Sequence, residues 1–543
     1  MAVSAATLAM LPVPFQRRVT NKWLVTVSVT FGTLMGAIDS SIVNVALPHI
    51  RGSVGATVQE ITWISTGFVI ATVLVMPLTG FLGRLFGQKR VYMFCLALFV
   101  AGSMLCGLAR TLPTLVLFRF IQGLGAGALQ PTEQAILRQT FPPKEQGMAM
   151  ALFGMAIMIG PAIGPTLGGW IVDHYPWPWI FYINLPVGVL GLYMVSQFVH
   201  EPDDIRAANI AAAQHQRRNM DWWGIGLLSI GISSLQYVLE EGANDDWFQS
   251  RLILGLTLAS VFAIAAFVIR ELTAVVPAVN LRLFKDRTFA TGTLISGVMF
   301  AMLMSSMFLL PVFMQELLGF NATQSGLALM PRTLVMMLAV PIVGRVYNRV
   351  SPKVTVAIGV LFFVFGAWQQ SHFTADTTSS GIIAAIVLQG VGFSCLFVPL
   401  TTVSLATVPR AKLADATGLS SLVRQIGGSI GLAVFATLIG NYATHARAGI
   451  AAHVVETRPE VAQRLMATQG ALMARGLDAV TAGKAAIGSL YGRVVKQSMF
   501  MSFDKLFLLS GILFLVILPL LLFLKIPTEQ EKDRAAEAVH IDI

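Results

Sequence analysis

Five charged side chains lie inside otherwise apolar, membrane-length stretches of this chain: Asp39, Arg119, Glu133, Arg332 and Arg424. Charge is costly at the centre of a bilayer, so an ionisable residue kept there marks an ion or substrate path. Asp39 sits in Ile38-Asp39-Ser40-Ser41-Ile42-Val43-Asn44, with no Lys or Arg in helical reach on its own segment. Its partner must come from another helix or from water. Two readings stay open: a carboxylate facing a central cavity that takes up a proton or a cationic substrate, or a solvated acid that bends its helix near the outer mouth. Arg119, Gln122 and Glu133 share one segment and, at about 100° per residue, point to one side of it. Arg119 and Glu133 are about 21 Å apart along the axis, which predicts a polar stripe rather than an ion pair between them. Glu133 is also close enough to the Arg138 end to snorkel. Moving such carboxylates between wet and dry surroundings ties protonation to conformation. Arg332 and Arg424 are candidates for charge balance or for holding two parts of the molecule together.

Other chemistries lack their residues. The eight histidines are scattered, no metal-ligand spacing occurs, and no nucleophile elbow or ATPase signature is present. Gly123-Leu124-Gly125-Ala126-Gly127 superficially resembles a nucleotide loop, but it lies within an apolar segment with no strand before it. Cys95 and Cys106 share one helix about 16 Å apart, too far for a disulfide. The expectation is a protein that is not an enzyme, needs no metal or cofactor and draws on an ion gradient.

The elements that must position these residues are membrane helices. Hydrophobic residues make up 55% of the 543 and charged ones 12%, and mean hydropathy is +0.73. A span takes about 20 apolar residues. Fourteen are predicted: 24–47, 61–82, 91–109, 112–136, 147–171, 179–199, 222–239, 251–270, 289–312, 324–346, 353–371, 380–406, 417–440 and 502–524. Most of the 37 Lys and Arg residues then fall on one side, which places both termini in the cytoplasm by the positive-inside rule. The net charge of +10 is thereby explained by topology, with no nucleic-acid partner. Arg17, Arg18 and Lys22 follow the first apolar stretch rather than precede it, unlike a cleavable signal.

The chain also repeats itself. Gln122-Gly123-Leu124-Gly125 matches Gln389-Gly390-Val391-Gly392, and Gly160-Pro161-Ala162-Ile163-Gly164 matches Gly427-Gly428-Ser429-Ile430-Gly431, both at an offset of 267 residues. Pro77-Leu78-Thr79-Gly80 echoes Pro341-Ile342-Val343-Gly344 at 264. Duplicated halves are frequent in secondary transporters. The predicted organisation is a cytoplasmic N-terminus (1–23), a six-helix half (24–199), a linker with an extra two-helix hairpin (200–288, hairpin 222–270), a second six-helix half (289–524) with a long periplasmic segment (441–501), and a cytoplasmic tail (525–543). Gly160, Gly164 and Gly168 recur on one helix face and allow close packing, while Pro161 and Pro165 each remove a helical hydrogen bond. The counterpart at 427–431 keeps glycines but lacks those prolines, which predicts a directional rather than a generic packing device.

These segments resemble the major facilitator superfamily, specifically its fourteen-helix drug:proton antiporter branch of the EmrB/QacA type. Asp39 to Pro48, including Asn44, is similar to that branch's first-helix motif. Arg119-Phe120-Ile121-Gln122-Gly123 is similar to its fourth-helix motif, in which the resemblance implies that the arginine assists proton transfer. The stretch with Gly154, Gly160, Pro161, Gly164, Pro165, Gly168 and Gly169 resembles the antiporter motif, and Trp179 to Gly188 the start of helix 6. In the helix 2–3 loop motif, which holds Gly80, Arg84, Gly87, Lys89 and Arg90, Arg84 stands where the family has aspartate and Leu85 where it has arginine. The usual charge relay between the halves cannot form in its standard version.

The resemblance implies an all-helical major facilitator fold and a proton-coupled exporter of hydrophobic or amphiphilic drugs in a bacterial inner membrane. It also implies a periplasmic adaptor and an outer-membrane channel as partners, with segment 441–501 as a docking element or a cap. A dedicated exporter of one metabolite, such as a fatty acid, siderophore or antibiotic, fits the same motifs. A non-transporting scaffold or sensor would have no need of intramembrane acids.

Overall fold

A computed structural model describes residues 21–526, apart from scattered positions between 203 and 219 and positions 275, 348 and 456; residue 528 is also described. The predicted N-terminal segment up to residue 20, most of the C-terminal tail, part of the linker and the Pro161 side chain lie outside the described residues. Among the described residues the regular structure is entirely helical. Fourteen helices are long and apolar enough to cross a membrane. They are α1 (Lys22–Val54), α2 (Gln59–Phe86), α3 (Gln88–Leu108), α4 (Leu112–Thr140), α5 (Pro143–His174), α6 (Trp179–Phe198), α7 (Trp222–Glu241), α8 (Arg251–Thr273), α9 (Arg287–Glu316), α10 (Gln324–Val346), α11 (Pro352–Gln370), α12 (Ser379–Ser404), α13 (Arg410–Ala451) and α14 (Ala479–Phe523).

The helices start where side chains can satisfy their first free N–H groups. Thr57 and Glu60 cap α2 reciprocally, as do Asn321 and Gln324 for α10. Asn21 accepts from the Trp23 amide before α1, and Asp478 accepts from the Val480 and Thr481 amides before α14. Gly87, at φ +88°, makes the tight turn from α2 to α3, where the left-handed backbone favours glycine.

Packing repeats between the halves: α1 packs on α5, α3 on α4 and α2 on α4, as α9 packs on α13, α11 on α12 and α10 on α12. The glycines explain the closeness. A Cβ on Gly160 would strike the Ala37 backbone and one on Gly164 would sit 2.5 Å from Ser41 Cβ, so that face of α5 meets α1. Gly427 and Gly431 meet the Gly297 and Ala301 backbones in the same manner, joining α13 to α9. Gly154 instead faces Phe397 of α12, so α5 reaches across to the second half. Gly169 has open space beside it. The helix runs through Gln146–His174 without interruption, carrying both proline positions.

Two features go beyond the sequence reading. The segment 441–501 is largely helical: α13 continues to Ala451, a short helix spans Pro459–Met473, and α14 begins at Ala479. The extra hairpin, α7 and α8, is also part of the body of the molecule. α7 lies in the seam between halves, with Glu241 accepting from Thr62 and Thr66 of α2 at 3.1 and 2.9 Å, and Gln236 donating to Ser429 of α13 at 2.7 Å.

Candidate functional site

Asp39, on α1, is 1% exposed and receives three hydrogen bonds. Arg119 Nη1 lies 2.5 Å from Oδ2, Gln122 Nε2 donates to Oδ1 at 2.9 Å, and Asn184 Nδ2 donates to Oδ1 at 3.0 Å. The partner thus comes from another helix, α4, as the absence of a local cation requires. Asp39 is enclosed within the first half, between α1, α4 and α6, and is not the solvated acid of the second reading. Arg119 is itself 1% exposed. Its Nη1 also reaches Gln122 Oε1 at 2.8 Å, its Nε donates to the Ile64 carbonyl at 3.3 Å, and its guanidinium lies 4.1 Å from the centre of the Phe68 ring. A buried ion pair satisfied on all sides is stable as a unit, but removing one partner costs about 3–5 kcal/mol. A proton on Asp39 removes its charge without removing its atoms.

Asn184 and Ser103 complete the network, since Asn184 also donates to Ser103 Oγ at 3.0 Å. Spacing alone gave no sign of either, because they sit on α6 and α3 and meet Asp39 only in three dimensions. Asn44 does not join the group: it is exposed and accepts from Ser65. It is five residues past Asp39, beyond the turn that points inward.

Glu133 is fully buried rather than snorkelling, and it stands apart from the Asp39–Arg119 pair. Its Oε1 accepts from Thr30 Oγ1 at 3.2 Å, while Oε2 has no partner. Among the described residues no cation lies within ion-pair distance of it. α4 therefore carries a polar interior face with an ion pair at one level and an unpaired carboxyl at another.

Arg424, on α13, reaches across the seam to Gln134 Oε1 of α4 at 3.2 Å, and donates to Ser420 and Ser421 on its own helix. It binds the halves together but balances no carboxylate. Arg332, on α10, does neither among the described residues, where its hydrogen bond goes to Ser306 Oγ of α9.

At the end of the molecule where α2 turns into α3, Arg84 forms an ion pair with Asp415 of α13. The halves are therefore locked by a charge pair of reversed polarity, with the cation on α2. Gly80 permits it, because a Cβ there would be 2.7 Å from the Asp415 Cα. Lys89 donates to the Ser196 carbonyl at 2.7 Å through Nζ, and its amide donates to Glu201 at 2.9 Å. Arg90 is exposed.

Among the described residues no group of His, Cys, Asp and Glu could hold a metal ion. The model of the Major Facilitator Superfamily matches residues 29–432. The chain belongs to this superfamily. It is 33% identical over 505 residues to the multidrug export protein EmrB of Escherichia coli strain K12, covering 93% of this chain and 95% of that one. It is 32% identical to the fatty acid resistance protein FarB of Neisseria gonorrhoeae, covering 93% and 96%. Among solved structures, the proton:xylose symporter XylE of the same superfamily superimposes with a TM-score of 0.57 at 13% identity, over 92% of this chain and 96% of that one. The human organic anion transporter MFSD10 gives 0.52 at 14% identity. These two share the fold. The chain is a transporter and not an enzyme.

Proposed function

We propose that this chain exports amphiphilic compounds across a bacterial inner membrane in exchange for protons, with Asp39, Arg119 and Gln122 as the proton-handling unit and Glu133 as a second carboxyl. The observation that carries this reading is the enclosed Asp39–Arg119 pair on two helices of the first half. Protonation of Asp39 cancels the charge that holds Arg119, so α1 and α4 loosen their mutual hold only when a proton arrives. Glu133, unpaired and dry, is suited to hold a proton while enclosed and to release it on wetting. Names of relatives support the substrate class, since EmrB is a multidrug export protein.

Orientation follows from charge. Arg84, Lys89, Arg90, Arg345, Arg349, Arg410 and Lys412 gather at the end where α2 turns into α3, and the positive-inside rule makes that end cytoplasmic. Both termini are then cytoplasmic, and the helical extension 441–501 is periplasmic. The resemblance to the EmrB-type branch supports a periplasmic adaptor and an outer-membrane channel as partners, with that extension as the contact. Gly160–Pro165 would restrict leakage by keeping α5 tight on α1.

The test is transport in proteoliposomes under an imposed proton gradient, with ethidium, dodecyltrimethylammonium and dodecanoate as probes. Wild type should move at least one probe only while the gradient stands. Asp39→Asn should lose gradient-driven transport, and Glu133→Gln should slow it. Transport that survives in both variants and in the double variant overturns the coupling assignment.

A further inference from the structure

The two halves treat their buried arginines differently. In the first half, Gln122 of α4 meets Cys106 of α3, Asp39 and Arg119. In the second, its repeat partner Gln389 of α12 meets Gln370 of α11 at 3.0 Å and Ser306 of α9 at 3.0 Å. Ser306 therefore takes, on Gln389, the place that the Asp39 carboxylate takes on Gln122. The arginine has moved as well. A Cβ on Gly123 would meet the Phe68 backbone, and one on Gly390 would meet the Arg332 backbone, so Phe68 and Arg332 occupy matching places on α2 and α10. The second half keeps a guanidinium at this level but no internal carboxylate for it.

Arg332 is 3% exposed. Its Nη1 donates to Ser306 at 3.3 Å, and its Nε and Nη2 are buried without a partner. Those two nitrogens form one edge of the guanidinium fork, the edge that accepts a carboxylate through two parallel hydrogen bonds. Enclosing an unpaired cation is costly, and among the described residues no acidic group pairs with it. We infer that Arg332, with Ser306 and Gln389, is a receptor for the carboxylate head of an anionic amphiphile. The Met336 side chain adjoins Arg332 along Gly390, which gives the alkyl portion an apolar contact.

This inference rests on the export reading, but binding can be measured apart from it. Full-length protein in lipid nanodiscs is titrated with radiolabelled dodecanoate, and in parallel with dodecyltrimethylammonium. Wild type should bind dodecanoate saturably. Arg332→Gln should weaken it at least about tenfold, equivalent to ~1.4 kcal/mol, with the cation unaffected. Arg332→Lys, which keeps the charge and loses the fork, should fall between the two. Absence of saturable dodecanoate binding to wild type, or Arg332→Gln within twofold of wild type, overturns the assignment. If Arg332→Gln does not fold, Arg332→Lys decides: unchanged dodecanoate affinity there overturns it. Wild type that binds dodecanoate but moves no probe under a proton gradient contradicts the export reading alone.

Discussion

Asp39 and Arg119 are joined so completely that their contributions differ from those of their neighbours. Arg119→Lys retains a positive charge but not the planar fork that reaches Asp39, Gln122 and the Ile64 carbonyl together. It should reduce gradient-driven export at least about tenfold, the equivalent of about 1.4 kcal/mol. Asn184→Ala removes one neutral donor, a hydrogen bond to a charged group worth about 1.5–3 kcal/mol, and leaves the ion pair. It should slow export less than Asp39→Asn does, measured in the same proteoliposomes; equal loss would mean that Asn184 is part of the proton-handling unit itself. The charged members of this site were legible in the sequence because charge inside an apolar span is conspicuous. Asn184 and Ser103 were not, since neutral polar residues are common in membrane helices and nothing local ties either to Asp39. The exclusion of Asn44 required the helix phase at α1, which only the packing of α1 on α5 fixes.

The glycine face of α5 shows what an element contributes. Gly164 has Ser41 Cβ and Oγ both 2.5 Å from the place of a missing Cβ, whereas Gly169 has nothing within 4 Å. Gly164→Ala must push α5 away from α1, at a cost of about 1–3 kcal/mol for overpacking. Gly169→Ala meets no neighbour and gains the about 0.5–1 kcal/mol by which alanine surpasses glycine inside a helix. Thermal unfolding of the purified proteins should move in opposite directions, down for Gly164→Ala and level or up for Gly169→Ala. A fall in both would mean that the face is not defined by α1. At this scale the spans were readable because the apolar runs are long. The extensions of α13 and α14 were not, because Asn441-Tyr442-Ala443-Thr444-His445-Ala446-Arg447 is helical in its alanines but too polar to register as a span.

Across the whole molecule, the seam between halves is closed by different devices along its length, besides the Arg424–Gln134 bond. Along one side α5 packs directly on α10. On the other, α2 and α13 meet near the end where α2 turns into α3, where Gly418 approaches the Met76 carbonyl and Arg84 pairs with Asp415; toward the opposite end α7 stands between them. The duplicated order of the halves was visible in the repeated glycine motifs, but the position of α7 was not, because the extra hairpin has no repeat partner to compare with. The reversed pair gives the seam a testable weakness. Asp415 is nearly buried and Arg84 is one-fifth exposed at the side chain, so the pair is largely shielded from solvent and from salt. Asp415→Asn leaves the Arg84 cation short of its counter-charge, and Arg84→Gln does the same to Asp415, so each single variant should lower the thermal midpoint by a few degrees. The double variant removes both charges and should lie well above the sum of the two losses, as expected for groups in direct contact. Export should respond differently from stability. With the Arg84–Asp415 lock gone in all three variants, the closed seam is less favoured, and dodecyltrimethylammonium flux without a gradient should rise. Additive thermal losses together with unchanged flux would show that Arg84 and Asp415 touch without coupling the halves.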